Sequence, residues 1–252
     1  MNITTSSMNK NIIRLGNTGS TNDYLRSAAT PTDDSMIVAV SDYQTAGRGQ
    51  GCNSWESECG KNLLVSILVT PHMVPIEQQF VLSMAGALAL KDTLDEYCGA
   101  ISLKWPNDIY WFNRKISGTL IETSVSGKTI SRCIYGIGLN VNQEIFRSDA
   151  PNPISLLNIT GYTTPLDRLL TSVLNKFEKY YSMATEGKYD VIVDKYNSAL
   201  FRRYGFHKYI DTATGQPFEA RMERVGTDGL LRLADKLGNR LAYSLKEIKF
   251  VI

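Results

Sequence analysis

The chain of 252 residues carries 27 Lys and Arg against 25 Asp and Glu, a net charge of +2, with 43% hydrophobic and 21% charged residues. That length suits one large domain or one domain with a small companion, and the composition is that of an ordered globular protein. So small a charge excess gives no argument for nucleic acid or a membrane surface as a partner.

The N-terminus, MNITTSSMNKN, is polar and lacks the apolar centre of a signal peptide. No apolar run approaches the ~20 residues that span a bilayer. Cys52, Cys59, Cys98 and Cys133 are scattered, and His72 and His207 stand alone. Zinc sites and disulfide frameworks need tighter grouping, so the cysteine usage fits a reducing cytoplasm. Residues 11–15 form a short strand candidate. Ser20 or Thr21 can cap a short helix reaching Ala28, because a hydroxyl satisfies free N–H groups at a helix start. MIVAVSDYQ (residues 36–44) and LLVSILV (63–69) read as buried strands, with a glycine run directly after the first. Residues 75–97 are the clearest helix, with Phe80, Val81, Met84, Leu88 and Leu94 near one face. Strands follow at 102–105 and 108–112 about a Pro-Asn-Asp turn. GTLIETSV and TISRCIYGIGLNV flank Ser126-Gly127-Lys128, which predicts a β-hairpin. Thr164 as N-cap, Pro165 in the first turn and Asp167 at the positive end predict a helix to about Thr185, with a second over 189–203. From residue 208 onward, short β segments broken at Gly215, Gly229 and Gly238 predict a small barrel or sheet.

Four stretches can carry chemistry. YQTAGRGQGCNSW (43–55) holds Gly47, Gly49 and Gly51 around Arg48 and Gln50. It is either a flexible surface loop or a segment whose backbone N–H groups approach an anion closely. It is neither a Walker A loop nor a G-x-G-x-x-G turn. Arg48 adds a cation suited to carboxylate or phosphate, and Trp55 offers a stacking face. KWPNDIYWFNRKISG (104–118) puts Asn107 and Asp108 on a turn, where the carboxylate either bonds its own backbone or holds Mg²⁺. Lys115 is either a solvated strand-edge lysine or a site cation, and Gly118 suggests close approach to the backbone. GIGLNVN (136–142) alternates an apolar face with one of Gly138, Asn140 and Asn142. GSTNDYL (19–25) is a helix cap that can also present hydroxyl and amide groups to a small polar ligand. No Ser-His-Asp or Cys-His arrangement is apparent, which argues against covalent nucleophilic catalysis.

The order GSTN, YQTAGRGQ…W, KWPNDI…RKISG, GIGLNVN, then a small β region resembles the biotin protein ligases, also called biotin–[acetyl-CoA-carboxylase] ligases. The resemblance is strong over residues 15–142 and architectural beyond. It implies an α+β fold: a mixed, largely antiparallel sheet with helices on one face, like class II aminoacyl-tRNA synthetases and lipoyl ligases. A small SH3-like β-barrel follows, giving a catalytic domain over 1–206 and a second over 207–252. The implied reaction uses ATP and Mg²⁺ to make biotinyl-5′-AMP, then moves biotin to a lysine of the biotin carboxyl carrier protein. By similarity, Ser20, Thr21, Asn22 and Gln44 surround the ureido end of biotin, with Gly47, Arg48, Gly49, Gln50 and Gly118 around the rest. Lys115 and Arg48 are the catalytic candidates, with Lys115 between the biotin carboxylate and the α-phosphate. Trp55, Asn107, Asn140 and Lys246 are matched to the nucleotide and Asp108 to Mg²⁺.

Many bacterial relatives read G-R-G-R-x-G-R-x-W. Here Gln50, Cys52 and Asn53 replace an arginine, a glycine and an arginine, removing two loop cations. Some relatives carry an N-terminal helix-turn-helix domain. The motifs here begin by Gly19, so a stand-alone cytoplasmic ligase without DNA binding is expected. Two other functions remain open: a lipoate or octanoate ligase, and a biotin or nucleotide sensor without turnover.

Overall fold

The computed structural model describes residues 7–51 and 53–252. Cys52 and the first six residues of the polar N-terminus therefore lie outside the described residues.

A seven-stranded sheet organises the first part of the chain. Its strands are β1 (Asn9–Thr18), β2 (Ser35–Gln44), β3 (Leu63–Val69), β4 (Ile101–Lys104), β5 (Asp108–Trp111), β6 (Arg114–Ser126) and β7 (Thr129–Leu139). Their order is β1-β2-β3-β7-β6-β5-β4, with β1 and β2 parallel and every other pair antiparallel. β3 is buried along its whole length, as its continuous apolar run requires in a central strand covered on both faces. The β6–β7 hairpin closes at Ser126↔Thr129 across Gly127, whose φ of 62° needs a residue without a Cβ.

The two sheet faces are covered differently. Helices α2 (Phe80–Leu94), α4 (Leu166–Thr185) and α5 (Tyr189–Ser198) pack on Met36, Val38, Val65, Ile67, Tyr135 and Ile137. Among the described helices, only the short α1 (Thr21–Arg26) lies on the opposite face, where its Leu25 sits on Ala39, Leu68 and Ile134. Beside α1 that face carries no helix among the described residues and is overlain by the loop that holds Trp55. A further short helix, α3 (Leu156–Thr160), was not foreseen; a capping box between Ser155 and Asn158 starts it and Gly161 ends it at φ 77°.

Several local expectations need correction. The predicted 75–97 helix is a 3-10 turn at Ile76–Gln78 followed by α2, and α2 is buried almost all round rather than on one face. Phe80 is only partly covered. Pro165, not Thr164, is the N-cap of α4, and no side chain caps it. Ser20 is the N-cap of α1, yet neither hydroxyl caps the helix. The Thr21 N–H instead donates to Gln44 Oε1 at 2.8 Å. α5 stops at Ser198, five residues short of the predicted end.

The remaining strands, β8 (Phe206–Asp211), β9 (Pro217–Val225), β10 (Leu231–Asp235), β11 (Arg240–Tyr243) and β12 (Ile248–Phe250), form a five-stranded antiparallel sheet. Gly215, Gly229 and Gly238 turn the chain at positive φ where the glycines predicted breaks. This sheet shares its core with the larger one: Tyr209, Met222, Val225, Leu231 and Leu233 belong to the same apolar cluster as α2 and α5. Asn197 on α5 closes the seam by hydrogen bonds to both the N–H and C=O of Val225, at 2.7 and 3.0 Å. Among the described residues, no helix is long and apolar enough to cross a membrane.

Candidate functional site

The site occupies the sheet face beside α1. Strand alternation points Gly118, Leu120 and Glu122 of β6, Gly136 and Gly138 of β7, and Ser66 of β3 to that face, and the register places them side by side: Gly118↔Gly138, Leu120↔Gly136, Ser66↔Gly136. The glycines make a floor that other groups occupy. A Cβ on Gly136 would stand 2.3 Å from Asn22 Oδ1, and one on Gly138 would stand 2.3 Å from Trp55 Cε2.

Lys115 reaches this face through a bulge. Ile109 pairs with Ser117 but Tyr110 pairs with Lys115, so Ile116 is an extra residue on β6. Strict alternation would put Lys115 on the same side as Ser117 and Thr119. The bulge instead turns it to the side of Gly118 and Asp108. Its Nζ lies 2.6 Å from Asp108 Oδ1 and 5.6 Å from the centre of the Trp55 ring. Lys104 Nζ stands 3.8 Å from the other Asp108 oxygen, against the Tyr110 and Phe250 rings. Burial lowers the Lys104 pKa, and the Asp108 charge only partly opposes this.

The polar end of the cavity is tightly bonded. Gln44 Oε1 accepts from the N–H and hydroxyl of Thr21, and Ser66 Oγ lies 2.7 Å from Thr21 Oγ1 and 2.6 Å from Asn22 Oδ1. Over the cavity, the glycine loop folds as a small hairpin: Gly49 N–H donates to Asn53 C=O and Trp55 N–H to Gly47 C=O. Arg48 does not point a free cation inward. Its Nη2 lies 2.9 Å from Glu122 Oε1 and 3.1 Å from Asp23 Oδ1, and both carboxylates also hold Arg26. Burial raises the Glu122 pKa, but hydrogen bonds and charge from Arg26 and Arg48 outweigh it and hold the carboxyl below the usual range.

Ser20, Thr21, Asn22, Gln44, Arg48, Gly49, Gln50, Trp55, Asn107, Asp108, Lys115 and Gly118 all line one cavity of ≈ 140 Å³ that opens to solvent. Gly47 does not line it, but a Cβ added there would stand 2.7 Å from the Trp55 carbonyl oxygen and 3.5 Å from Gln44 Nε2. Asn140 lines an adjoining cavity that shares Trp55 and Lys115 with the first and is walled by residues 146–153. Asn140 donates to Ile154 C=O, while its Oδ1 and the Trp55 Nε1 are buried without partners among the described residues. Lys246 is the exception. It is exposed on a turn of the second sheet, and only its neighbours Ser244 and Leu245 line a cavity that meets the site, at Gln50 and Asn107.

Asn107 is held by Thr119: its side-chain amide donates to Thr119 C=O at 2.7 Å. Among the described residues, no three His, Cys, Asp or Glu side chains gather as a metal cage. Asp108 therefore fits a divalent ion only as a single carboxylate beside ligand oxygens, the arrangement Mg²⁺ adopts with phosphates. Sequence reasoning passed over Glu122, Asp23 and Ser66. For Glu122 the signal was available: counting by two from Gly118 along a strand puts it on the same face as Gly118.

Residues 16–140 match the Biotin/lipoate A/B protein ligase family. The chain is 31% identical over 166 residues to a biotin–[acetyl-CoA-carboxylase] ligase of Mycobacterium tuberculosis, covering 64% of this chain and 60% of that one. It is 26% identical over 232 residues to a ligase of the same description from Paracoccus denitrificans, covering 89% and 90%. Against other curated relatives it spans about half their length, 45% in the Bacillus subtilis case. The fold is similar to that of the biotin protein ligase of Aquifex aeolicus in complex with biotin and ATP, with a TM-score of 0.79, 25% identity and coverage of 95% and 97%.

Proposed function

We propose, from the premise that this chain belongs to the Biotin/lipoate A/B protein ligase family, that it activates biotin with ATP and transfers it to a lysine of a biotin carboxyl carrier protein. In the first step a biotin carboxylate oxygen attacks the α-phosphorus, the bond to the bridging oxygen breaks, and pyrophosphate leaves. In the second, an acceptor lysine amine attacks the carbonyl carbon of biotinyl-5′-AMP. The C–O bond to phosphate breaks, AMP leaves, and the nitrogen loses its proton.

One observation carries this reading: the bulge at Ile116 brings the Lys115 ammonium onto the face that also holds the Thr21–Asn22–Gln44 polar cluster. A ureido ring fits that cluster, because polar groups entering a dry pocket need partners. A carboxylate at the other end would meet Lys115, which draws two anions together and stabilises charge developing between them. Trp55 and the free Asn140 Oδ1 support a nucleobase in the adjoining cavity. Asp108 would offer Mg²⁺ one oxygen, and the ion would neutralise phosphate charge. Ser20, Gly47, Gly49, Gln50, Asn107 and Gly118 complete the walls in this reading. Lys246 has no part in it as the side chain now lies. Residues 207–252 are proposed as a small SH3-like domain behind the catalytic one, and the cytoplasm as the site of action.

The test is to incubate the protein with biotin, MgATP and an apo carrier domain and weigh the acceptor. A gain of one biotinyl group is expected; no gain overturns the proposal. Lipoate offered in competition should leave the product unchanged. Pyrophosphate release on adding biotin and ATP separates an enzyme from a sensor.

A further inference from the structure

We propose that Glu122 is a positioning residue that latches the glycine loop over the cavity through the side chain of Arg48. The inference deepens the ligase reading and rests on it for the identity of what is enclosed.

The loop is poorly equipped to hold itself closed. Three glycines in five positions leave an ordered loop with a large entropy cost. Its hydrogen bonds from Gly49 to Asn53 and from Trp55 to Gly47 are internal and fix its shape but not its position. Near its start, Ala46 N–H bonds Gly19 C=O. Past that point, the Arg48 guanidinium is the charged anchor to the sheet. It spans from the loop to Glu122 on β6 and Asp23 on α1.

Glu122 is the hub of these contacts. One of its oxygens accepts from Arg48 and Arg26, and the other lies 3.2 Å from Arg26 Nε and 3.4 Å from Asn22 Nδ2. A single carboxylate thus joins the loop, the start of α1 and the end of α1. Two guanidinium groups face two carboxylates, so the cluster is neutral and leaves no surplus cation for a phosphate. This reassigns the Arg48 side chain from stabilising reacting charge to holding the loop. It also accounts for a loop that functions with Gln50 and Asn53 in place of arginines: closure here depends on the wall and not on charges at the loop tip.

The experiment compares wild type with Glu122→Gln, Glu122→Asp, Arg48→Met and the Glu122→Gln/Arg48→Met double variant. Trypsin cleavage after Arg48, read by mass spectrometry of the fragments at neutral pH, reports loop opening without requiring activity. Cleavage several-fold faster in Glu122→Gln than in wild type, with partial restoration in Glu122→Asp and unchanged circular dichroism, is expected. Steady-state rates of pyrophosphate release should show the biotin KM raised about three- to tenfold in either single variant, with kcat changed less. The double variant should lose less than the product of the two single losses, because both break the Arg48–Glu122 contact. Equal cleavage rates, or losses that multiply in the double variant, overturn the latch. Should Glu122→Gln fail to fold, Arg48→Met still decides through its KM. Should wild type release no pyrophosphate, the ligase reading fails while the cleavage comparison still judges the latch.

Discussion

An alanine at position 138 cannot coexist with Trp55 as it lies, because the new Cβ would fall 2.3 Å from the indole. Gly138→Ala should therefore expel the ring and raise the ATP KM by about tenfold or more with biotin affinity changed less; titrating both ligands checks this. Gly136→Ala meets Asn22 Oδ1 at the same distance and should weaken biotin instead. Replacing Lys115 by Ala removes the ammonium that the bulge delivers. A loss of about 10²–10³ in the rate of adenylate formation is expected, with unchanged circular dichroism. The Glu122 carboxyl carries a pH prediction. Against the opposing effect of burial, Arg26 and Arg48 hold it below the usual carboxylate range, so the stability it contributes is fully present above the unfolded value and is lost as pH falls through the folded one. Biotin binding by calorimetry should not lose affinity through this group between pH 8 and 5.5, and the latch should weaken only below the ordinary carboxylate range. The four side chains of the cluster are a quarter to half exposed, so salt should shave the effect.

At the scale of elements, α2 shows where a periodic pattern misleads. Its sequence, FVLSMAGALALKDTL, is apolar around most of the helix because the sheet lies on one side and α4 and α5 on the others. Reading one face from it missed the second layer, which the chain supplies more than seventy residues later. Leu82→Ala, at a position with no exposure, should cost about 2–5 kcal/mol in denaturant unfolding. A surface helix with one buried face would tolerate many such changes better. The caps show the same dependence on distant partners. Ser20 and Thr21 carry capping side chains, yet Gln44, 23 residues on, takes the first N–H of α1. That side chain consequently links helix start and cavity wall, so Gln44→Ala should lower stability and biotin affinity together.

Across the whole molecule, the two sheets share one apolar cluster, and Asn197 fastens them. Calorimetric unfolding should give one transition, and Asn197→Ala should lower it by about 1–3 kcal/mol by leaving buried backbone groups of Val225 unpaired. Two resolved transitions in wild type would contradict this continuity. Much of the architecture was legible beforehand, because strand runs, turn glycines and the β6–β7 hairpin are encoded by neighbours in the chain. The cavity-lining motifs were legible for the same reason: glycines, Asn107 and Lys115 stand in short stretches whose residue types have few other uses together. The sequence by itself thus determined most of the elements, the order of the motifs and most of the residues that gather at the cavity. Only the tertiary structure decided that Lys115 turns to the face beside α1, that Arg48 spends its charge on Glu122, and that Lys246 stays outside. Each of these depends on a register, a bulge or a partner more than seventy residues away, and such pairings arise from packing that no local pattern records.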